Sequence, residues 1–304
     1  MEYNEPPVQE INHQAFDVAG ISVSILREDL NHPYVSGNKW WKLRDNIQEA
    51  KISGKPVLTF GGAFSNHLYA TAAACNEARI PCVAVVRGEG GPHESATLSF
   101  LKRMGAKLIH VSRELYQKKE SENFYDEIGL DSKNYFVIPE GGTNMNTIHS
   151  CAQWGNKIQT IYSNNFDSLL VPVGTGGTAA GLLVGLNGAL HLHAFSVLKG
   201  GGFLKDRVNH LASEYCRLIL STEKNFSNEW TLYTDFHFGG YGKRNEEVIS
   251  FIKEMRPAIP LDAVYTAKMI LGVVTLAQSG FFARGSKLLA LHTGGLQGNS
   301  GFLI

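Results

Sequence analysis

The sequence predicts an α/β fold in which parallel-rich sheets are covered by helices. Short, continuously apolar runs such as residues 57–60 and 169–173 are typical of buried strands. Longer stretches with helical spacing of their apolar residues, such as 66–78, lie between these runs. The 32 glycines of the 304 residues gather in short clusters, which indicates tight turns and close backbone approach to a ligand. Strands and helices that alternate in this way are typical of parallel βαβ units.

The elements can be assigned in order along the chain. Ile21, Val23 and Ile25 alternate with small polar residues, which predicts a half-buried strand, and residues 41–50 then predict a helix. The further predicted strands are residues 57–60, 82–86, 106–111, 169–173, 194–198 and 287–292. The further predicted helices are residues 66–78, 95–104, 178–190, 204–220, 245–255 and 265–278. The charged residues 115–127 predict one solvated helix face.

Composition argues against several classes of function. Lys plus Arg and Asp plus Glu number 28 each, so no net charge attracts nucleic acid or an anionic membrane. No run approaches the ~18 apolar residues of a membrane helix, and the acidic start lacks the apolar run of a signal peptide. The four cysteines lack zinc-type spacing, which predicts buried reduced thiols: Cys75, Cys82, Cys151 and Cys216. His191 and His193 have no partner at ligand spacing, so we expect structural roles and no metal site. We expect a soluble cytoplasmic protein.

The glycine-rich segment VGTGGTAAG, residues 173–181, follows a predicted strand and opens a predicted helix. Backbone N–H groups in such a turn, together with the helix dipole, favour an anion. Thr175 and Thr178 can add hydroxyl donors. The segment lacks the Lys-Ser/Thr ending of a nucleoside-triphosphate loop, so it predicts a phosphate site of another kind. A tight turn without any ligand is the alternative.

Two further segments suggest chemistry. Lys39 lies between small residues and a tryptophan pair, where desolvation would lower its pKa and favour the neutral amine that Schiff-base formation requires. In GGAFSNH, Ser65 and Asn66 stand where a helix begins, and both are good N-cap residues. Capping alone can explain them; the alternative is that this helix start binds a substrate carboxylate.

Seven segments occur together in one order: SGNKWWKL, GGAFSNH, PEGGTN, VGTGGTAAGL, GGYGK, DAVYTAKM and HTGG. In this order they resemble the D-cysteine desulfhydrase and 1-aminocyclopropane-1-carboxylate deaminase family. The resemblance runs from about residue 20 to the C-terminal end. It implies a pyridoxal 5'-phosphate enzyme with the tryptophan-synthase-β type of fold, known as fold type II.

The resemblance also implies roles for individual residues. Lys39 resembles the Schiff-base lysine, Lys42 a contact to the cofactor phosphate, and Asn66 a partner of the pyridine 3-hydroxyl. The phosphate loop would be Gly174, Thr175, Gly176, Gly177 and Thr178. The substrate-binding residues would be Ser65, Asn66, His67, Tyr241 and Tyr265. The catalytic residues would be Lys39, Ser65, Tyr241 and Tyr265. His292, at a strand end, would lie near the cofactor ring without acting as a base.

Two positions distinguish the deaminases of this family from its desulfhydrases. Thr266 follows the DxVY tyrosine, where it would contact the pyridine nitrogen and where deaminases carry glutamate; Thr293 stands where deaminases carry leucine. A carboxylate at position 266 would keep the pyridine nitrogen protonated, so that the ring strongly stabilises a carbanion on the substrate. A hydroxyl at this position stabilises the carbanion less. The weaker stabilisation is enough when a good leaving group, such as thiolate, departs from Cβ. Both residues resemble the desulfhydrases. We therefore expect β-elimination from D-cysteine, with 1-aminocyclopropane-1-carboxylate deamination as the alternative and a non-catalytic phosphometabolite-binding protein as a remote one.

The sequence departs from the family pattern at two places. Trp41 replaces an arginine between the two lysines, and the segment after the first strand reads REDL where the family has RDD. Trp40 and Trp41 either narrow the pocket or pack the core. The family implies a homodimer and two domains: a large cofactor-binding one of residues 1–50 and 150–304, and a small one of residues 51–149.

Overall fold

Short strands along the whole chain form two separate sheets. The computed structural model describes residues 1–91, 94–121 and 123–302. The larger sheet has the strand order β1-β2-β10-β7-β8-β9, and the smaller one β5-β4-β3-β6. All neighbouring strands are parallel except β1, which pairs antiparallel with β2. The strands are β1 (Val8–Glu10), β2 (Ser22–Leu26), β3 (Val57–Gly62), β4 (Cys82–Arg87), β5 (Lys107–Val111), β6 (Phe136–Ile138), β7 (Ser168–Val173), β8 (His191–Ser196), β9 (Trp230–Tyr233) and β10 (Lys287–Leu291).

Helices connect these strands and cover the sheets. They are α1 (Gln14–Ala19), α2 (Asn38–Ser53), α3 (Asn66–Ala78), α4 (Ala96–Arg103), α5 (Arg113–Gln117), α6 (Phe124–Glu127), α7 (Met145–Tyr162), α8 (Gly177–Leu186), α9 (Leu204–Tyr215), α10 (Glu246–Met255) and α11 (Thr266–Gln278). A π-helical turn, Cys216–Leu220, extends α9. None of the helices in the described ranges has the length and apolarity that a bilayer crossing requires.

The predicted α/β class is confirmed, and the structure adds elements that the sequence did not predict: β1, α1, β6, α7 and β9. One prediction was wrong. Residues 115–127 do not form one solvated helix face, because α5 and α6 are separate short helices. Tyr116 and Phe124 are buried under the smaller sheet, since aromatic rings on these turns cover its apolar face. The strands of the smaller sheet fall within residues 57–138; the two-domain boundaries stay a prediction.

Close contact between α7 and α8 fixes the position of the glycine-rich turn. A Cβ atom added at Gly181 would lie 2.3 Å from the Cβ of Cys151, and one at Gly185 would lie 2.0 Å from the Ala152 carbonyl oxygen. Glycine is therefore required for the two backbones to approach this closely. The four cysteines are buried free thiols, as predicted. Since α8 begins directly after β7, packing against α7 sets where residues 174–178 lie.

Candidate active site

The sequence motifs lie at the carboxyl ends of parallel strands. GGAFSNH follows β3, PEGGTN follows β6, the glycine-rich turn follows β7 and HTGG follows β10. Parallel sheets bring these ends to one edge, where ligands bind in this class of fold. The start of α2 contacts the turns of both sheets, because Asn38 bonds to Thr178 after β7 and Lys42 bonds to Gly141 after β6. This arrangement defines one candidate site.

The turn after β7 is suited to an anion. Gly176 has φ +90°, a left-handed conformation that favours glycine, and it precedes α8. No side chain in the described part of the chain caps the first N–H groups of this helix, so they are available to a ligand. The hydroxyl of Thr175 lies 2.7 Å from that of Thr143, and a Cβ at Gly177 would lie 2.7 Å from the same Thr143 oxygen. Thr143 therefore closes one side of the turn.

Lys39 lies in the first turn of α2, beside the glycine-rich turn. Its Nζ donates to Oδ1 of Asn38 over 3.0 Å, and the Asn38 amide donates to the hydroxyl of Thr178 over 2.9 Å. Asn38 thus joins the lysine to the phosphate turn. Burial lowers the pKa of Lys39 to about 8, while the carboxylate of Asp262 opposes this shift. The neutral amine is therefore far more populated near neutral pH than that of an exposed lysine.

Lys42 lies one helical turn further along the same face. Its ammonium donates to the carbonyl of Gly141 and lies 3.4 Å from the Thr143 hydroxyl. Burial, and then the nearby charge of Lys39, lower the pKa of Lys42 to about 7. Since Lys42 is already bonded to backbone whereas, among the described residues, Lys39 is hydrogen-bonded to its neighbour Asn38 alone, Lys39 is the freer nucleophile. A phosphate contact by Lys42 stays a prediction.

The three polar side chains of the GGAFSNH segment make different contacts. Ser65 caps α3 by accepting the N–H of Leu68 over 3.2 Å, as the capping interpretation predicts. Asn66 accepts a hydrogen bond from the amide of Gln297 over 2.9 Å. His67 is buried with Nε2 2.8 Å from the Thr59 hydroxyl, and burial lowers its pKa well below the usual value. Substrate binding by these residues stays a prediction, and for His67 the contact with Thr59 favours a supporting place behind the site.

The two predicted tyrosines are neighbours. The rings of Tyr241 and Tyr265 pack edge to face with centroids 5.9 Å apart. The Tyr265 hydroxyl would lie 3.2 Å from a Cβ placed at Gly174, so it reaches the phosphate turn. Burial and the neighbouring Tyr241 raise the pKa of Tyr265 well above its usual value, which keeps its hydroxyl protonated. The pair can therefore donate hydrogen bonds at one wall of the site.

Asp262 organises the segment that holds these groups, and sequence reasoning did not single it out. Its buried carboxylate accepts the backbone N–H groups of Val264, Tyr265 and Thr266 over 2.8–3.0 Å. It thereby fixes the start of α11. The aspartate lies within the DAVYTAKM motif, four residues before α11 begins and outside the N-cap position at Tyr265. An aspartate shortly before a predicted helix was the signal that the sequence offered.

The hydroxyl of Thr266 provides a test of whether the site fits pyridoxal phosphate. This side chain is completely buried, and its oxygen has no hydrogen-bond partner among the residues that the structure describes. A buried hydroxyl without a partner is unfavourable, which indicates that a ligand atom completes it. The open helix start suited to phosphate and the lysine of lowered pKa are joined through Asn38. The unsatisfied hydroxyl belongs to the residue that follows Tyr265, whose own hydroxyl reaches the phosphate turn. These features match the phosphate, aldehyde and ring nitrogen of the cofactor.

Trp40 and Trp41 pack the core; they do not line the pocket. Trp41 stacks on Trp154 with centroids 5.6 Å apart and planes 6° apart, and Trp40 packs against Tyr3. The Trp41 indole N–H donates to Oε2 of Glu28 over 3.3 Å. Glu28 and Trp41 are both positions where the sequence departs from the family pattern. Their contact shows that the two departures form one local arrangement.

Glu28 is a buried carboxylate, which gives the protein a pH-dependent stability. It also accepts hydrogen bonds from Tyr3 and Asn31, and no cation of the described ranges forms an ion pair with it. Burial raises the pKa of Glu28 from 4.5 to about 7, although these hydrogen bonds oppose the shift. The folded protein therefore binds a proton that the unfolded chain releases at lower pH. The stability contributed by this group declines as pH rises from about 5 to about 7.

We expect the Glu28→Gln variant to remove this pH dependence. Its free energy of unfolding minus that of the wild type should be larger, meaning a relatively more stable variant, at pH 8 than at pH 5 by about 2 kcal/mol. Denaturant unfolding at the two pH values measures the difference. The exposed Glu120→Gln serves as a control with equal effects at both. Equal effects of Glu28→Gln at both values would contradict the prediction.

The predicted histidines have structural contacts. His191 lies 2.9 Å from the Thr231 hydroxyl, and His193 lies 2.9 Å from the Tyr233 hydroxyl. His292 is completely buried, with Nε2 2.7 Å from the Pro260 carbonyl and Nδ1 accepting the N–H of Gly294. The ring thus stabilises the HTGG turn from behind.

The fold and this site define a class of protein that the comparisons identify. A family model described as pyridoxal-phosphate dependent enzyme matches residues 5–294, and the chain belongs to that family. This protein is therefore an enzyme, and pyridoxal phosphate is its cofactor. The fold is the fold type II arrangement of these enzymes: the structure of a tomato threonine deaminase matches 97% of this chain and 80% of its own, with a TM-score of 0.64 at 14% identity.

More similar proteins narrow the class further. A crystal structure described as an ACC deaminase homologue matches 97% of this chain and 91% of its own, with a TM-score of 0.82 and 30% identity. A Pyrococcus horikoshii protein named as a candidate 1-aminocyclopropane-1-carboxylate deaminase is 30% identical over 97% of this chain and 90% of its own. A Yersinia enterocolitica D-cysteine desulfhydrase is 27% identical over 96% and 92%. The relatives thus carry both names, and the protein belongs with these lyases and deaminases.

Proposed function

We propose that this enzyme catalyses β-elimination from D-cysteine, or from a related β-substituted amino acid, to give pyruvate, ammonia and sulfide. Thr266 carries the proposal. Its neutral, buried hydroxyl lacks a partner within the described residues, at the position where a deaminase would have a carboxylate. A hydroxyl can donate or accept one hydrogen bond, but it cannot supply the negative charge that holds a proton on a ring nitrogen.

Each residue of the site has its own role in the proposed reaction. When bound, pyridoxal phosphate supplies an electron sink for the charge that develops at the substrate Cα. Lys39 attaches the cofactor and, once freed, removes the α-proton, for which its lowered pKa of about 8 is suitable. The turn 174–178 and Lys42 bind the phosphate. Asn66 orients the ring, and Ser65 binds the substrate carboxylate.

The substrate side is assigned to the two tyrosines. Tyr265 lies against the phosphate turn and Tyr241 packs edge-on to Tyr265, which supports assigning both hydroxyls to the substrate side. His67 supports the Asn66 segment from the interior. The thiolate leaves from Cβ, and water converts the released fragment to pyruvate and ammonia. We also propose a cytoplasmic homodimer with a large and a small domain, as the resemblance implies.

A panel of D- and L-amino acids tests the proposal directly. Pyruvate and sulfide should form from D-cysteine, with far less from L-cysteine. Release of 2-oxobutanoate from 1-aminocyclopropane-1-carboxylate at a higher kcat/KM than the D-cysteine reaction would favour the alternative named in the relatives. Absence of product from every amino acid would contradict the proposal.

We expect Thr266→Glu combined with Thr293→Leu to shift specificity toward the ring compound. The ratio of kcat/KM for 1-aminocyclopropane-1-carboxylate to that for D-cysteine should rise by about tenfold or more, which corresponds to about 1.4 kcal/mol. A carboxylate at position 266 can hold a proton that the threonine hydroxyl cannot. Thr293→Leu alone is the control. An unchanged ratio in a folded double variant would contradict the role of Thr266.

A further inference from the structure

Lys268 is a buried lysine that the proposed reaction does not use. It lies on α11 within the DAVYTAKM motif and is only 1% exposed. Its Nζ donates to the carbonyl of His237 over 2.8 Å and to that of Gly240 over 2.7 Å. It forms no ion pair with any residue for which the structure gives a position. Two backbone carbonyls therefore provide its polar environment.

Those carbonyls belong to a turn with unusual backbone conformation. Phe238, Gly239, Gly240 and Gly242 all have positive φ, at +47°, +89°, +112° and +62°. For Phe238 this conformation is strained, because its Cβ crowds the backbone. Within the turn, the Gly240 N–H donates to the His237 carbonyl over 3.0 Å and the Lys243 N–H to the Gly240 carbonyl over 3.3 Å, and contacts from outside the turn add to these. The ammonium of Lys268 supplies two of them.

This turn carries Tyr241. The tyrosine follows Gly240 directly and packs edge-on to Tyr265, with ring centroids 5.9 Å apart. Tyr265 is joined to α11 through the backbone, whereas the turn before Tyr241 is joined to the same helix through Lys268. The positions of both tyrosines are thereby set by the same helix, α11.

We propose that Lys268 is a positioning residue that clamps the 237–240 turn to α11 and so places Tyr241 against Tyr265 at the substrate side. The assignment of that side rests on the proposed function. The clamp itself is a property of the chain and can be measured without turnover.

Limited proteolysis and hydrogen exchange test the clamp. Lys268→Met keeps the apolar stem and removes the donors. Trypsin should cut at Lys243 or Arg244, both exposed, at least about tenfold faster than in the wild type. Amides of residues 238–242 should exchange faster by a similar factor. Lys253→Met, which removes an exposed lysine on α10, is the matched control and should leave both rates unchanged. Unchanged rates in Lys268→Met would overturn the proposal.

A double-mutant cycle tests whether Lys268 acts through Tyr241. Lys268→Met should lower kcat/KM for the amino acid by about 10²-fold, mainly through KM, with the cofactor absorbance unchanged. In a Tyr241→Ala background, Lys268→Met should lower kcat/KM by less than about twofold, because the tyrosine side chain that Lys268 positions is already absent. Multiplicative effects would assign Lys268 a purely structural role and overturn the proposal.

A second variant changes the turn that Lys268 binds and leaves Lys268 in place. If Lys268→Met does not fold, Gly240→Ala disturbs the acceptor carbonyl through its φ of +112°, and its Cβ meets only ordinary contacts with Lys199. It should show the same loss of protection, and intact protection would overturn the clamp. If the wild type turns over no amino acid, the proposed function fails while proteolysis and exchange still decide the clamp.

Discussion

Replacing Lys39 with alanine is expected to lower amino-acid turnover by about 10⁴-fold or more. The variant loses both the covalent attachment of the cofactor and the base that removes the α-proton. The other two lysines with a pKa lowered to about 7 or 8 are bound to backbone and are not expected to take over: Lys42 is bonded to the Gly141 carbonyl, and Lys268 to those of His237 and Gly240. Steady-state product release from D-cysteine measures the loss.

The control for this prediction lies on the same helix. Lys51 is exposed near the end of α2, so Lys51→Ala should retain wild-type turnover. Both variants should bind the cofactor, because the phosphate turn is unchanged. If Lys39→Ala kept more than about a tenth of the activity, the lysine could not be the base proposed here.

Gly37→Ala is expected to disable the site by displacing Lys39. Gly37 has φ +67° and ψ −145°, a conformation that essentially only glycine adopts. An added Cβ would lie 2.1 Å from the Thr293 carbonyl oxygen and 2.5 Å from the Gly294 nitrogen. The start of α2 must therefore move away from the HTGG turn. We expect kcat/KM to fall by about 10²-fold and the free energy of unfolding by about 2–3 kcal/mol.

Gly54 offers a matched comparison for this substitution. It ends the same helix with the same φ of +67°, but a Cβ there would meet no atom of the described residues within 4 Å. Gly54→Ala should lower the free energy of unfolding by about 1 kcal/mol and leave kcat/KM unchanged. Equal losses of activity in the two variants would show that backbone strain alone, without displacement of Lys39, explains the effect.

Much of the fold could be predicted because buried parallel strands are continuous apolar runs. The strands β3, β4 and β7 are buried along nearly their whole length. The longest helix, α7, was missed because small and polar residues interrupt its apolar stripe, and its close contact with α8 depends on that composition. The short strands β1, β6 and β9 lack a period of their own and depend on their neighbours in the sheets.

The site could be predicted only in part, because motifs specify segments and not their contacts. The bonds from Asn38 to Thr178 and from Gln297 to Asn66 join residues 140 and 231 positions apart. No local pattern encodes such pairs. Asp262 and Lys268 lie inside a motif that was noted for its tyrosine and threonine, so their functions became visible only through the backbone groups that they bind.

Trapping the cofactor on the enzyme tests the central claim most directly. Three lysines have a pKa lowered by burial to about 7 or 8, namely the half-buried Lys39 and the buried Lys42 and Lys268. Borohydride reduction of the yellow enzyme, followed by fragmentation mass spectrometry of its peptides, identifies the amine that carries the cofactor. The account predicts that the cofactor mass is found on Lys39. Its appearance on Lys42 or Lys268, or no covalent adduct at all, would contradict it.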